Sequence, residues 1–367
     1  ADGRFRLAAL DPALDFCITA LAAGYEPAVQ SKLVPEAGPV TVKLRARNFA
    51  GLAPERHVAG RLLGPDGAPV AGAVIDVGGI EKGGSTQWGG NDTTDDLAVT
   101  DAEGEFHLAG RKDFTAVQAR VNTPGLAARW VRLEPGKMCL LRLRPGAAVR
   151  GRLVRDGQPL RGVVLGLCTE TRECGKDFMG FQATTDDEGR FVFPHVPAGL
   201  RCQVFGKMDS LRPLGAACRR DLVSAPDGGT NDLGDWSAEP AHRLAGRVVL
   251  ADGSPVPPAT RLMLDRTAAW DTTLATLDAE GRFEVTSVPA EQVGLHIAVA
   301  GYHLSQKNPN LDLNSRGSLT GRLTGDLAAM DILLEPGPGP NWNDIDRPSY
   351  EEMQAAEQKP LAGFQAR

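Results

Sequence analysis

Aromatic residues are scarce in this 367-residue chain, at 5% of the total, whereas glycine and proline number 43 and 26. This composition favours many turns and modest cores, although 42% hydrophobic residues is enough for packed domains. No apolar run approaches the roughly 20 residues that a membrane-spanning helix needs. The net charge is −6 and no basic run stands out. The sequence therefore predicts neither a membrane span nor a nucleic-acid partner.

Catalytic and metal-binding signatures are also missing. None of the six histidines lies in a His-Glu-x-x-His or His-x-x-Glu pattern. There is no Gly-x-Ser-x-Gly nucleophile motif, no phosphate-binding glycine loop and no Cys-x-x-Cys pair. We therefore predict no catalytic residue, no cofactor and no metal site, and we expect a protein that is not an enzyme.

A short turn motif recurs along the chain. Acidic residues favour the turn, glycine supplies a positive φ, and the phenylalanine begins the next strand. The copies are 1–5 (ADGRF), 100–106 (TDAEGEF), 185–191 (TDDEGRF) and 277–283 (LDAEGRF). Their spacing is about 90 residues, which is too long for a solenoid unit and typical of one small β-sandwich.

A second motif keeps the same spacing and alternates apolar with polar residues, as a half-buried strand does. Its copies are 58–62 (VAGRL), 149–153 (VRGRL) and 244–248 (LAGRV). Each is followed by an Asp-Gly-x-Pro turn and a further apolar strand. Intramolecular isopeptide bonds are not expected, because arginine and not lysine stands on this strand, as Arg61, Arg152 and Arg247.

The order of these motifs resembles the carboxypeptidase regulatory-like domain, whose apolar strand ends in Gly-Tyr, here Gly24-Tyr25 and Gly301-Tyr302. The resemblance implies a transthyretin-like, Ig-like β-sandwich of about seven strands. We therefore expect an all-β chain of tandem sandwiches in a semi-rigid rod, with a mostly irregular C-terminal tail. This fold serves many surface and accessory roles, so it says little about function.

The motif spacing also predicts the domain bounds, with short joints such as 144–148 between them. A Pro/Gly linker and a short capped helix beginning at Ser349 are expected in the tail. The predicted units are a partial sandwich at 1–52, complete repeats at 53–146, 147–240 and 241–336, and the tail at 337–367. Below, the three complete units are called the first, second and third repeats.

Six cysteines allow 15 pairings. If the chain is secreted, we expect two disulfides between cysteines close together in one repeat: Cys168–Cys174 and Cys202–Cys218. Cys17 and Cys139 have no partner within their own repeats. Either they are buried thiols, or they bridge domains or chains.

One long glycine-rich, acidic loop, residues 83–96, is a candidate ligand site. Trp88 could stack against a surface glycan, or Asp92, Asp95 and Asp96 could bind Ca²⁺. The alternative is a plain hairpin loop or a contact surface, since the spacing matches no EF-hand.

Residues 1–52 contain only the second half of a sandwich. The first residue is not Met, so we expect a mature product or a fragment; either upstream residues exist, or a neighbouring subunit completes the sheet. On the second hypothesis the tail of one copy packs on the N-terminal segment of the next. The predicted contact residues are Phe5, Leu7, Ile18, Leu21 and Tyr25 in that segment, and Trp342, Ile345, Tyr350, Leu361 and Phe364 in the tail.

These features predict a non-enzymatic, extracellular structural or adhesive protein of a bacterial surface, assembled head to tail with other copies of itself. The alternative is a carbohydrate-binding or spacer module of a larger secreted protein.

Overall fold

The computed structural model describes residues 3–8, 10, 15–34, 38–49, 51–89, 92–169, 180–266, 269, 271–308, 311–313 and 317–338. Regular structure in these residues consists of β-strands and two 3-10 turns, Pro54–Arg56 and Asp209–Leu211. The described residues contain no α-helix, and accordingly none that could cross a membrane. The prediction of an all-β fold is confirmed. The tail helix predicted from Ser349 lies outside the described residues.

The N-terminal segment forms a two-stranded antiparallel sheet from β1 (Phe16–Ala20) and β2 (Ala28–Leu33). An isolated bridge pairs Tyr25 with Ala46 and brings the stretch after β2 back to the hairpin turn. Side chains alternate between half-buried and exposed along β1, as expected for a strand that is covered on one face.

The first repeat contains two facing sheets. The strands are β3 (His57–Leu63), β4 (Val74–Lys82), β5 (Ser85–Trp88), β6 (Leu97–Val99), β7 (Glu105–Ala109), β8 (Ala116–Asn122), β9 (Arg129–Leu133) and β10 (Met138–Arg142). One sheet has the order β10-β3-β7, and the other has the order β5-β4-β8-β9 with β6 also paired to β4. The core between them includes Val58, Leu62, Ile75 and Phe106.

The second repeat follows the same plan. Its strands are β11 (Ala147–Arg155), β12 (Gln158–Pro159), β13 (Val164–Thr169), β14 (Gly180–Thr184), β15 (Arg190–Val196), β16 (Arg201–Gly206), β17 (Arg220–Val223) and β18 (Thr230–Ser237). In one sheet β11 pairs with β12, β15 and β18, and the other sheet has the order β14-β13-β16-β17.

The third repeat adds short extra strands. Its strands are β19 (His242–Leu250), β20 (Arg261–Arg266), β21 (Thr272–Thr276), β22 (Arg282–Val288), β23 (Gln292–Ile297), β24 (Tyr302–Leu304), β25 (Asp312–Leu313), β26 (Leu319–Arg322) and β27 (Leu327–Pro336). The sheet orders are β22-β19-β27-β24 and β21-β20-β23-β26-β25.

The two sequence motifs meet as cross-strand partners. Gly60 of β3 faces Phe106 of β7, and the same pairing joins Gly151 to Phe191 and Gly246 to Phe283. A Cβ atom on Gly60 would lie 2.5 Å from the Phe106 ring, so glycine leaves the space that the ring fills. All three phenylalanines are buried, as predicted.

The recurring turn is held by its first aspartate. Asp101 Oδ1 accepts hydrogen bonds from the backbone N–H groups of Glu103 and Glu105, at 3.1 and 2.7 Å. Gly104 has a φ of +77°, and a Cβ there would lie 2.5 Å from the carbonyl oxygen of Leu62. Asp186 and Asp278 accept the corresponding bonds in the other repeats.

Candidate functional site

The N-terminal segment exposes apolar side chains that the sequence marked for assembly. Phe5 is 55% exposed, Leu7 is 56% exposed and Tyr25 is 46% exposed. The other two predicted contact residues, Ile18 and Leu21, are half-buried. Sequence reasoning missed Val29 and Val34, which are also exposed in the structure. Exposed aromatic and aliphatic groups concentrated in one segment are typical of an interaction surface.

The segment is anchored to the first repeat through Asp95. This carboxylate is buried at 2% exposure and forms an ion pair with Arg47. It also accepts a hydrogen bond from the N–H of Ala109 at 2.8 Å and lies 3.3 Å from the guanidinium of Arg111. Because the buried charge has several partners, it fastens residues near 47 to the edge of the sandwich.

A cluster of three rings in mutual contact extends this anchor. The ring of Phe49 lies 5.8 Å from that of His57 and 5.0 Å from that of His107. The two histidines are themselves hydrogen bonded, with Nε2 of His57 3.0 Å from Nδ1 of His107. Burial lowers the pKa of His57, and the charge of His107 lowers it further. The anchored segment therefore packs beside a His57 imidazole whose neutral form is favoured.

The predicted calcium ligands do not converge. Asp95 is engaged by Arg47 and Arg111, and Asp92 forms an ion pair with Lys112. Across the described part of the chain, no group of three or more His, Cys, Asp or Glu side chains is placed to hold a metal ion. Asp96 lies beside this anchor in sequence and is exposed. A ligand role for the loop stays a prediction.

Trp88, the predicted sugar platform, packs against protein. Its ring meets that of Trp130 edge-on, with centroids 5.9 Å apart. Gly78 and Gly79 of β4 make room for both indoles, since Cβ atoms there would lie 2.6 Å from Trp130 and 2.9 Å from Trp88. The indole is half-buried in this cluster, so little of it is left for stacking on a glycan.

The predicted Cys202–Cys218 disulfide is wrong. Cys202 lies on β16 opposite Leu222 of β17, whereas Cys218 precedes β17 by two residues. The two cysteines are therefore about four residues apart along the ladder, or about 13 Å, and a disulfide tolerates a Cα separation of at most about 7 Å. Cys218 instead donates to a carboxylate oxygen of Glu239.

The other cysteine predictions have different outcomes. The Cys168–Cys174 pair cannot be placed, because Cys174 lies outside the described residues. Cys17 is exposed and Cys139 is half-buried, and neither is bridged. For Cys17 the expectation of burial is wrong, since it lies on the outward face of β1.

The structure brings together Ser318, His296 and Asp265, which sequence reasoning missed. Nδ1 of His296 lies 2.8 Å from Oγ of Ser318, and Nε2 lies 2.6 Å from Oδ1 of Asp265. These are the residue types of a hydrolytic triad, but Ser318 is only 2% exposed and cannot meet a substrate. The three residues lie on or beside the adjacent strands β20, β23 and β26. Their two hydrogen bonds therefore cross-link that sheet.

A second unpredicted feature is the junction between the second and third repeats. Arg266 is 1% exposed and donates to the Glu291 carboxylate, from Nε at 3.0 Å and from Nη2 at 2.8 Å. Its Nη1 donates to the carbonyl oxygen of Gly206 at 2.7 Å, and its guanidinium lies over the ring of Phe205. Gly206 and Phe205 belong to the second repeat, whereas Arg266 belongs to the third. One buried side chain therefore joins the two repeats.

Further contacts close the same junction. Asp271 accepts a hydrogen bond from the N–H of Met208 at 2.9 Å and lies 3.4 Å from Arg266. Burial raises the pKa of Asp271 in spite of these partners. The side chain of Met208, from the second repeat, packs into the core of the third. Such contacts restrict movement between the two repeats.

The joint between the first and second repeats is also bonded. Asp227 accepts from the guanidinium of Arg144 at 2.9 Å and from the N–H of Gly146 at 3.2 Å. The N–H of Gly228 donates to the carbonyl oxygen of Gly146 at 2.7 Å. The short joint predicted at 144–148 is thus tied to the second repeat.

The predicted tail contacts cannot be placed. They lie outside the described residues: Trp342, Ile345, Tyr350, Leu361 and Phe364.

Comparisons with family models and with curated proteins found no match. No family model matches the chain, which leaves the carboxypeptidase regulatory-like resemblance without support from that source. No curated protein matches it either.

Solved structures include several distant matches. The chain is 12% identical to the Bacillus anthracis TIE protein, with 88% of this chain and 58% of that one covered and a TM-score of 0.22. It is 12% identical to a streptococcal ancillary pilin, covering 77% and 99%, with a TM-score of 0.27. A minor pilin of Streptococcus agalactiae matches at 12% identity, 53% and 98% coverage and a TM-score of 0.26. Similarity at this level carries no argument about function.

Proposed function

We propose that this chain is a non-enzymatic structural protein of a bacterial cell surface that joins other copies of itself through its N-terminal segment. The observation that carries the proposal is the exposure of Phe5, Leu7, Tyr25 and Val29 beside a two-stranded sheet. A two-stranded sheet is marginal by itself and gains stability when another strand or apolar arm covers it.

The bonded junctions support a structural role. Arg266 and Asp271 fix the second repeat to the third, and Asp227 ties the joint at Gly146. Repeats held in fixed relation suit a spacer or a filament subunit, because movement at one end is transmitted to the other.

The arm that we propose for this contact is the tail, residues 338–367, of a neighbouring copy. Its apolar residues, with Trp342 and Phe364 among them, would pack on the exposed groups of residues 3–34. Such a contact uses different surfaces on the two copies, so it propagates head to tail and forms a filament wherever the rotation between copies does not close a ring.

Sedimentation velocity and electron microscopy of the purified chain test this proposal. The intact chain should form filaments at high concentration, whereas a chain lacking 338–367 should stay monomeric with its β-sheet circular dichroism intact. A Phe5→Asp, Leu7→Asp double variant should also stay monomeric. Leu274→Asp, at a residue 55% exposed in the third repeat, is the matched control and should assemble.

An intact chain that stays monomeric at high concentration would overturn the proposal and favour the spacer alternative. Assembly of the tail-deleted chain would overturn the assignment of the tail as the arm.

A further inference from the structure

In every repeat the first and last strands are parallel neighbours. In the first repeat Ala59 to Leu63 of β3 face Met138 to Arg142 of β10. The same parallel pairing joins β11 to β18 and β19 to β27. We call these three pairs the terminal ladders.

The direction of these strands decides how a pull on the chain reaches the hydrogen bonds. Because the two strands run the same way, the start of the first and the end of the last lie at opposite ends of the ladder. A pull along the chain therefore slides the strands past each other and loads all of their hydrogen bonds together. If both strands were instead pulled apart from the same end of the ladder, the hydrogen bonds would break one after another.

We propose that the terminal ladders bear tension, so that the chain is a load-resisting element. This goes beyond the proposed function, since each ladder resists force whether or not the chain assembles. The joints support the proposal: only residues 143–146 separate β10 from β11, and only residues 238–241 separate β18 from β19. Force leaving one ladder enters the next almost directly.

The three ladders are reinforced to different degrees. In the second repeat, Arg150 lies 2.9 Å from Asp232 and Arg152 lies 3.3 Å from Asp235, both across the ladder. In the corresponding place of the first repeat, Arg61 faces the apolar Leu140.

The third ladder carries the ion pair of Arg247 with Asp331, at 3.1 Å, and it has a further support. Its last strand, β27, also pairs with β24 on its other side, whereas β10 and β18 are edge strands in the described residues. Under tension we therefore expect the first repeat to unfold first and the third to unfold last.

Optical-tweezers pulling on the full chain in two geometries tests the proposal. Handles are attached through azide-bearing residues placed either at 240 and 338 or at 254 and 338. The first pair shears the third ladder. The second pair pulls from one end, because residue 254 follows Leu250, which lies opposite Leu334. As a control, the two labelled proteins should have the same thermal unfolding midpoint, which checks that both keep the fold.

Unfolding of the third repeat should need a force several-fold higher in the 240/338 geometry than in the 254/338 geometry. Equal forces in both geometries would overturn the proposal. When the chain is pulled from its two ends, each repeat should release about 300 Å of extended chain. Release of the third repeat before the first would overturn the proposed order of reinforcement.

Discussion

At the scale of single residues, His57 shows how packing can create a pH response. Its ring packs against both Phe49 and His107, and Nε2 of His57 lies 3.0 Å from Nδ1 of His107. One proton between the two ring nitrogens is enough for this hydrogen bond. If both imidazoles were protonated, their positive charges would repel each other. Burial and the neighbouring histidine therefore lower the pKa of His57.

Docking of the N-terminal segment should weaken in mild acid. Since the pKa is lowered in the folded state, the unfolded chain binds protons first as the pH falls below about 6.5. The contribution of His57 to stability is complete above that pH and declines below it. Thermal unfolding of the first repeat at about pH 7.5 and about pH 5.5 measures the effect.

A His57→Gln variant should show a smaller difference between the two pH values. His242→Gln, a substitution in the third repeat, is the control and should leave the pH dependence of the first repeat unchanged. An undiminished pH dependence in His57→Gln would contradict the assignment.

At the scale of elements, the pairing of Gly60 with Phe106 joins β3 to β7. A methyl group at Gly60 would lie 2.5 Å from the ring and 2.9 Å from the backbone oxygen of Cys139. The ring could turn aside, but the backbone oxygen belongs to the ladder and cannot move without breaking hydrogen bonds.

Gly60→Ala should therefore lower the free energy of unfolding of the first repeat by about 1–3 kcal/mol, as overpacked cores do. Urea unfolding followed by circular dichroism measures this. Gly325→Ala is the matched control, because a Cβ there meets nothing within 4 Å. A Gly60→Ala chain as stable as the Gly325→Ala chain would show that the ladder can accommodate the methyl group.

At the scale of the whole molecule, Arg266 couples two repeats. Its removal leaves the carboxylates of Asp271 and Glu291 in a buried junction without their cation. The carbonyl of Gly206 loses a donor at the same time. On heating, in the absence of load, the second and third repeats of the native chain should therefore unfold as one unit.

Arg266→Ala should split that transition in calorimetry and destabilise the junction by about 3–5 kcal/mol, the usual cost of leaving a buried charge unpaired. Arg243→Ala removes an exposed ion pair to Glu284 and should leave the calorimetric profile unchanged. A single undivided transition in the Arg266→Ala chain would show that other contacts couple the repeats.

The fold class and the local turns follow from patterns in the amino-acid sequence. Strand alternation and the Asp-x-x-Gly turn act over a few residues, so the burial of Phe106, Phe191 and Phe283 follows from local pattern alone. Even so, the partnership of Gly60 with Phe106 was not visible, because strand pairing depends on which elements become neighbours.

The contacts between residues far apart in sequence arise only in the folded chain. The register of β16 with β17 separates Cys202 from Cys218, although their spacing in sequence suggested a bridge. Asp95, expected in a ligand loop, became the partner of Arg47. Arg266 looks like any strand arginine in the sequence, and its 1% exposure arises only where two repeats meet. Burial and register depend on the packing of elements far apart in sequence, which a local pattern cannot specify.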